Sequence, residues 1–138
     1  MYDYKGEAWE TIGLPTWKGW DMQLSISPFY AKPRDYDECY DDVQVAAWME
    51  DKWWFAELAV TASANGVDLG TASMITVEYG ELPVLQEDGT YKKVWLDAEY
   101  YKREYVQDVE RLMIEAYDDA MERVRKILDH IEGKTEVA

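Results

Sequence analysis

The longest uninterrupted pattern in the sequence lies between Asp97 and Gly133, where neither glycine nor proline occurs. Apolar residues recur there in steps of three or four, at Tyr105, Val109, Leu112, Ala116, Ala120, Val124, Ile127 and Ile131. This spacing places them on one side of an α-helix, and Asp97 and Gly133 suit its N-terminal and C-terminal caps. The sequence therefore predicts one amphipathic helix over residues 97–132, about 50 Å long at 1.5 Å per residue.

The middle of the chain carries the pattern of a β-hairpin. Residues 53–63 are rich in tryptophan, phenylalanine, valine and threonine, and Asn65-Gly66 separates them from a second run over residues 69–79. Asn-Gly between two such runs predicts a tight hairpin turn, because both turn positions need positive φ. One face of the return strand is expected to carry Leu69, Thr71, Ser73, Ile75, Val77 and Tyr79.

Three further strand regions are predicted outside this hairpin. Apolar and polar residues alternate strictly over 22–27, which indicates a strand with one buried face. A strand is also predicted over Val43–Met49, and a short hairpin joins Val84-Leu85 to residues 91–95. Residues 1–20 contain three glycines, one proline and three tryptophans, and are predicted to be an irregular segment pinned onto the core by its aromatic side chains.

These patterns predict an α+β fold, in which an antiparallel sheet of four to five strands within residues 21–95 packs one face against the long C-terminal amphipathic helix. A chain of 138 residues has the length of one ordinary domain, so residues 1–138 are expected to form a single domain. Trp53 and Trp54 are adjacent in a strand and must point to opposite faces. We expect a helix to cover one of them and an N-terminal tryptophan such as Trp9 to cover the other.

The sequence also bears on the cellular compartment. Its one cysteine, Cys39, excludes an intramolecular disulfide and fits a reducing environment. No apolar run approaches 18 residues, and the first residues lack the basic and apolar regions of a signal peptide. We therefore expect a cytoplasmic protein that does not enter a membrane.

The formal net charge of −15 is concentrated in two segments. Residues 35–51 include seven acidic and no basic side chains, and residues 97–122 include nine acidic and three basic ones. A domain this acidic repels nucleic acid and anionic membranes, and it is attracted to basic surfaces. The charge therefore predicts a basic protein surface as the partner, with no direct binding of nucleic acid.

The acidic residues of the predicted helix share one face. On a helical projection, six of them lie within an arc of about 100° on the side opposite the apolar residues: Glu104, Asp108, Glu115, Asp118, Asp119 and Glu122. Like charges three or four residues apart cost a few tenths of a kcal/mol per pair, so stability alone does not explain this face. A second candidate binding patch interleaves acids with tyrosines, which often supply interface hot spots: Asp35, Tyr36, Asp37, Glu38, Tyr40, Asp41 and Asp42.

This arrangement favours an inhibitor that imitates DNA and occupies a basic nucleic-acid-binding groove on another protein. Two alternatives stay open at this point. The acidic surface could serve solubility alone, or the chain could be a structural or assembly protein that self-associates, for example as a homodimer, through its aromatic residues.

The residue types of common catalytic and metal sites are scarce. His130 is the one histidine, and it is expected to meet the C-terminal end of the helix dipole. Neighbouring carboxylates disfavour a reactive thiolate at Cys39. The acidic cluster of residues 35–42 lacks the glycine and glutamate of a Ca²⁺-binding EF-hand loop, since Tyr40 and Ala46 stand at those positions. No catalytic residue, metal site or cofactor is therefore predicted, and the chain is not expected to be an enzyme.

The hairpin over residues 53–79 resembles one found in small, functionally unassigned proteins of actinobacterial phages. The shared features are a strand rich in Val, the Asn-Gly turn, the run Leu69-Gly-Thr-Ala-Ser73 and an aromatic return strand. The resemblance covers about a fifth of the chain and implies a phage origin, with the host cytoplasm as the compartment. In character, the acidic helix is similar to the DNA-imitating anti-restriction and anti-CRISPR inhibitors, so the expected target is a host defence or DNA-processing protein.

Overall fold

The computed structural model describes residues 8–36 and 39–133, with five strands, three α-helices and one 3₁₀ turn at Pro33–Tyr36. The strands are β1 Glu10–Trp17, β2 Trp20–Pro28, β3 Trp53–Ala64, β4 Val67–Leu85 and β5 Tyr91–Leu96. The helices are α1 Asp42–Met49, α2 Ala98–Glu104 and α3 Val106–Ile131.

The strands form one antiparallel sheet in chain order, β1-β2-β3-β4-β5. The predicted hairpin is confirmed, with Asn65 and Gly66 at φ values of 53° and 79° in the turn between β3 and β4. The shorter hairpin is confirmed too, because the end of β4 pairs with β5 from Gly80 to Leu85. The α+β prediction, an antiparallel sheet with a long C-terminal helix, is therefore correct.

The larger part of the core lies between one face of the sheet and helices α2 and α3, and a smaller part lies beneath α1 on the other face. The alternation predicted for β2 is confirmed, and its three inward side chains are Met22, Leu24 and Ile26. They pair in register with the buried Ala62, Val60 and Leu58 of β3. Helix α3 closes this layer with Val109, Leu112, Met113, Ala116 and Ala120.

Gly70 of β4 is the point of closest approach between the sheet and α3. A Cβ atom built on Gly70 would lie against the carbonyl oxygen of Ala116 and 2.8 Å from the Cβ of Ala120. The absence of a side chain at Gly70, together with the small alanines opposite, lets the helix backbone pack directly on the strand.

Strand β4 is longer than predicted and changes face within its length. It continues through Gly80, and a bulge lies near Thr76, whose φ is 64°. The bulge shows in the register, because Ala56 pairs with Val77 while Leu58 pairs with Met74. The single face predicted for residues 69–79 is therefore wrong, since the bulge switches the alternation between exposed Ile75 and buried Val77.

The outer edge of β4 is completed by the helices over the segment that β5 does not reach. The backbone N–H of Thr71 donates to Asp119 Oδ2 on α3 at 3.0 Å. The hydroxyl of Tyr101 on α2 accepts from the N–H of Glu78 and donates to its carbonyl. Side chains of α2 and α3 thus satisfy backbone groups that a sixth strand would otherwise pair.

The N-terminal prediction needs correction. Residues 1–20 are predicted to be irregular, but residues 10–17 form the edge strand β1 and β2 begins at Trp20. Residues 1–7 of this prediction lie outside the described residues. Its pairing with β2 shifts between Leu14 and Trp17, a stretch that includes Pro15, and an edge position tolerates that residue because one side of the strand needs no donor. Glu10 fixes β1 in place, because its carboxylate accepts hydrogen bonds from the hydroxyl of Tyr79 and the N–H of Ala98.

Residues 43–49 are helical, so the strand predicted there is wrong. Asp41 and Gln44 form a capping box at the start of α1: the Asp41 carboxylate accepts from the Gln44 N–H at 2.8 Å, and the Gln44 side chain accepts from the Asp41 N–H at 3.1 Å. This reciprocal cap satisfies two N–H groups at the helix start. Trp53 packs beneath α1 and donates its indole N–H to the Gln44 carbonyl.

The single C-terminal helix predicted over residues 97–132 is two helices, α2 and α3. The predicted caps are confirmed, because Asp97 accepts from the Tyr100 N–H and Gly133 adopts a φ of 73° just after the last turn. The helical path breaks at Tyr105, with φ −113° and ψ 46°. The break lets α2 lie over β1, β2 and β5 while α3 crosses β3 and β4.

Candidate partner-binding surface

Most acidic residues of α3 form ion pairs with basic residues of the same helix. Arg111 lies between two of them, with Nη2 3.7 Å from Asp108 Oδ1 and Nη1 3.2 Å from Glu115 Oε2. Asp119 is 3.4 Å from Arg123 and also accepts the hydrogen bond from Thr71. The three ion pairs join residues three or four positions apart, the spacing at which side chains on a helix meet.

Two further acids of the predicted face also have cationic neighbours. Glu122 contacts Arg125, whose hydrogen bonds hold the pKa of Glu122 below its usual value, and it lies 3.9 Å from Lys126. Glu104 belongs to α2 and pairs with Arg103 at 2.9 Å. Within the described ranges, Asp118 is the one member of the six without a lysine or arginine nitrogen within 4 Å.

The predicted helical face is therefore less acidic than the count of carboxylates indicates. Exposed pairs of this kind are worth about 0–1 kcal/mol each, so a partner could exchange them for its own contacts. Each pair nevertheless places a positive charge within the row of carboxylates, and the break at Tyr105 separates Glu104 from the rest. The structure brings Asp108, Glu115, Asp118, Asp119 and Glu122 onto one helix but does not leave them as an unbroken row of free charges.

The second acidic region surrounds α1. We call its five described carboxylates the α1 patch: Asp35, Asp41, Asp42, Glu50 and Asp51. All except the half-buried Asp41 are exposed. Among the residues whose side chains the structure describes, no lysine or arginine nitrogen comes within 4 Å of these five carboxylates. The α1 patch therefore presents charge that the described side chains do not neutralise at contact distance.

The predicted members of this region have different roles. Asp37 and Glu38 lie outside the described residues, and Tyr36 is the last residue of the 3₁₀ turn. Asp41 caps α1 and also accepts from the hydroxyl of Tyr91 at 2.9 Å, which raises the pKa of Tyr91. Asp42 stands in the first turn of α1, where the helix dipole favours a negative charge.

Tyr40, predicted to contact a partner, packs against core residues of its own chain. Its ring centroid lies 5.2 Å from that of Trp53 and 5.6 Å from that of Phe55. Its hydroxyl donates to Glu78 Oε2 at 2.5 Å. Tyr40 therefore seals the sheet face that α1 covers, and a substitution there would disturb the core as well as the surface.

A groove that the sequence did not reveal runs beside the α1 patch. It has a volume of about 440 Å³ and lies between α1 and the β4–β5 hairpin. Apolar residues form one part of its wall and charged residues another: Val43, Ala46, Ala47 and Pro83, with Asp42, Glu50, Lys52, Glu81 and Lys93. Sequence reasoning missed it because residues 43–49 were assigned to a strand.

The aromatic residues mostly contact one another inside the chain. Trp54 is covered as predicted, because the ring centroid of Trp9 lies 6.2 Å from it and 4.6 Å from that of Tyr79. Trp53 is fully buried, although the helix that covers it is α1 rather than the long C-terminal one. Trp95 is 56% exposed and is the main aromatic side chain on the β5 surface.

Glu78, which accepts the hydrogen bond from Tyr40, leads to a prediction for how stability depends on pH. Burial raises its pKa above the ordinary value, partly offset by the hydrogen bond from Tyr40. The stability associated with protonated Glu78 is present below the unfolded-state pKa and is lost as pH rises through the higher folded-state pKa. As pH rises from 4 to 7, Glu78→Gln should therefore become more stable relative to the parent chain. Urea denaturation at intervals of one pH unit measures this difference.

Asp88 provides a control of opposite sign. Hydrogen bonds from the side chain and backbone N–H of Thr90 lower its pKa. Asp88→Asn should therefore lose stability relative to the parent chain as pH rises through the acidic range. Parallel pH profiles for the two variants would contradict the assignment of a raised pKa to the partly buried carboxyl of Glu78.

Comparison of the chain with protein-family models, with curated proteins and with solved structures finds no match. Across residues 8–36 and 39–133, no helix has the length and apolar character needed to cross a bilayer. The same residues contain no group of three or more His, Cys, Asp or Glu side chains placed to hold a metal ion.

Proposed function

We propose that this chain is an acidic protein-binding inhibitor that occupies a basic, nucleic-acid-binding surface of another protein. The partner is a host defence or DNA-processing protein, and the carboxylates of the inhibitor stand in for nucleic-acid phosphates there. The observation that carries the proposal is the α1 patch, whose carboxylates have no cationic neighbour within 4 Å among the described side chains.

The groove beside α1 supports contact with long basic side chains. The methylene groups of a lysine or arginine would lie on Val43, Ala46 and Ala47, while Asp42 and Glu50 attract the charged end. Nucleic-acid-binding proteins present many such side chains, and much of their affinity for nucleic acid comes from that charge. Lys52 and Lys93 also line the groove, and Lys93 lies 3.7 Å from Glu81. The α1 wall with Asp42 and Glu50 is therefore the part of the groove that matches a basic surface, which the net charge of −15 attracts.

The acidic residues of α3 have a secondary part in this proposal. Their intramolecular pairs with Arg111, Arg123 and Arg125 must rearrange before they contact a partner's cations. Their main effect is long-range attraction, which speeds association and is screened by salt. The contact that fixes affinity is assigned to the α1 side of the molecule.

Charge reversal tests this assignment. Asp42→Lys with Glu50→Lys should weaken capture of the partner by about 100-fold or more, because both changes fall at the proposed contact. The measurement is affinity capture from candidate host lysate at low salt, followed by elution in a salt gradient and titration of the recovered protein.

The matched control changes the same number of charges on α3, with Asp108→Lys and Glu115→Lys. Both double variants have the same net charge, so a difference between them reports position rather than total charge. We expect the control to bind with a modestly slower association rate and a similar dissociation rate. Equal loss of binding in the two variants would show that only net charge matters. Retained binding by the α1 variant would exclude the α1 patch as the contact surface.

A further inference from the structure

Helix α3 carries a second apolar surface that does not face the sheet. We call it the α3 stripe, and its members follow one another in steps of three, four, three, four and three residues: Ile114, Tyr117, Met121, Val124, Leu128 and Ile131. Four of the six are 40–73% exposed, with Ile131 the most exposed. Alternating steps of three and four are the spacing by which one helix packs along another.

The α3 stripe is distinct from the residues that hold α3 on the sheet. Rotation of 100° per residue places it about 90–100° around the helix from the buried set centred on Leu112, Ala116 and Ala120. From Met121 to Ile131, no residue of α3 is buried. The C-terminal half of the helix therefore presents apolar side chains for which the described residues provide no full cover.

We propose that a second copy of this chain packs on the α3 stripe, with the two α3 helices antiparallel about a two-fold axis. When residue numbers facing each other sum to 245, every stripe residue meets another stripe residue. Ile114 meets the partner's Ile131, Tyr117 meets the partner's Leu128, and Met121 meets the partner's Val124. The symmetry repeats each contact, so that all six side chains of both copies are used.

Charge complementarity supports this register. Asp118 and Arg125 flank the stripe on the same side, one heptad apart. In the antiparallel pair, Asp118 lies beside the partner's Arg125, and the symmetry makes this contact twice. Arg125 also contacts Glu122 and Asp129 of its own helix, and these exposed pairs can share its guanidinium with the partner's Asp118. Asp118 is the acid of the α3 face that has no lysine or arginine within 4 Å in its own described chain, so the partner supplies its counter-charge.

The same residues disfavour a parallel pair. Parallel packing would place Asp118 beside the partner's Met113 or Ala120, which are apolar and packed against the sheet. The antiparallel contact extends for about 26 Å along the helix, which is at the small end for a stable interface. We therefore expect a concentration-dependent dimer and measure it by sedimentation velocity from low micromolar to several hundred micromolar protein.

A charge swap tests both the partner and the orientation. Asp118→Arg alone places arginines against arginines, and Arg125→Asp alone places aspartates against aspartates, so each variant should be monomeric at concentrations where the parent chain dimerises. Mixing the two variants should restore the dimer, because every Arg–Asp contact is then re-formed between unlike chains. Failure of the mixture to associate would overturn the antiparallel register.

Substitutions within the stripe test the apolar contact. Leu128→Glu and Ile131→Glu should each raise the dimer dissociation constant by at least about tenfold. Both residues are exposed, so at protein concentrations where the parent chain is monomeric the variants should have the same melting temperature as the parent. Val43→Glu, an exposed apolar residue on α1, is the matched control and should leave dimerisation unchanged. A parent chain that stays monomeric at several hundred micromolar, or a dimer unaffected by Leu128→Glu, would overturn the proposal.

This dimer is independent of the proposed function. The α3 stripe and the α1 patch are formed by different elements, so failure of one proposal leaves the other standing. The charge-reversal variants Asp42→Lys and Glu50→Lys should dimerise like the parent chain.

Discussion

Gly70→Val is expected to destabilise the protein by about 3 kcal/mol or more, because the new side chain would occupy the space of the α3 backbone. A Cβ at this position already meets the Ala116 carbonyl oxygen and lies 2.8 Å from the Ala120 Cβ. Neither backbone can retreat without separating the core residues around Leu112 from the sheet. Overpacking of a close contact typically costs about 1–3 kcal/mol, and backbone obstruction lies at or above the top of that range. Chemical denaturation monitored by tryptophan fluorescence measures the change.

Gly13→Val is the matched control for this prediction. Gly13 is also a strand glycine, but a Cβ built there meets nothing within 4 Å. Valine suits an extended strand better than glycine does, so this variant should be neutral or slightly stabilised. If Gly70→Val and Gly13→Val change stability equally, the close packing of α3 on β4 is not what Gly70 provides.

Trp53→Ala is expected to destabilise the protein by about 3–5 kcal/mol, the range for truncation of a large buried aromatic residue. Trp53 is fully buried, its ring contacts Phe55 and Tyr40, and its indole N–H bonds the Gln44 carbonyl. The truncation would remove the support beneath α1 and the hydrogen bond from the indole to that carbonyl. The free energy of unfolding measured in urea should fall by this amount, out of a total of about 5–15 kcal/mol for a typical domain.

Trp95→Ala tests whether burial, rather than loss of a tryptophan as such, causes this effect. Trp95 is 56% exposed, and its closest described ring partner is Tyr79 at 6.1 Å between centroids. We expect a loss below about 1 kcal/mol. A larger loss for Trp95→Ala than for Trp53→Ala would contradict the assignment of Trp53 to the core.

The parts of the fold that the sequence predicted correctly are those whose local signals agree with their burial. In β2, the residues from Met22 to Ile26 alternate because one face lies under the helices and the other does not. Asn65-Gly66 marks its turn because few other residue pairs adopt two successive positive φ values. At these positions, local preference and tertiary packing require the same residues.

Of two mispredicted segments, only the one at α1 had a usable signal in the sequence. Val43 and Val45 suggested a strand by their composition, but Asp41 and Gln44 match the spacing of a capping box that starts a helix. No residue of α1 is fully buried, so no apolar periodicity marked the helix. The break at Tyr105 had no such signal, because neither glycine nor proline is present there.

The candidate surface was predictable in part. Arg111, Arg123 and Arg125 stand three or four residues from acids of the same helix, so their pairing follows from sequence spacing alone. The prediction counted carboxylates on a helical face but did not pair Arg123 and Arg125 with them. The contact of Asp119 with Thr71 joins residues 48 positions apart and depends on how α3 crosses the sheet, which no local pattern encodes.

The way β4 obtains its outer partners has a consequence for synthesis of the chain. The strands are paired in the order in which they leave the ribosome, so each hairpin can close as soon as its second arm has emerged. The hydrogen-bonding groups of Thr71 and Glu78 must wait for Tyr101 and Asp119, which are made some 20 to 50 residues later. During that interval the nascent sheet exposes an unpaired strand edge, to which the edge of another chain can bond. We therefore expect chains truncated before α2 to aggregate and full-length chains to remain dispersed.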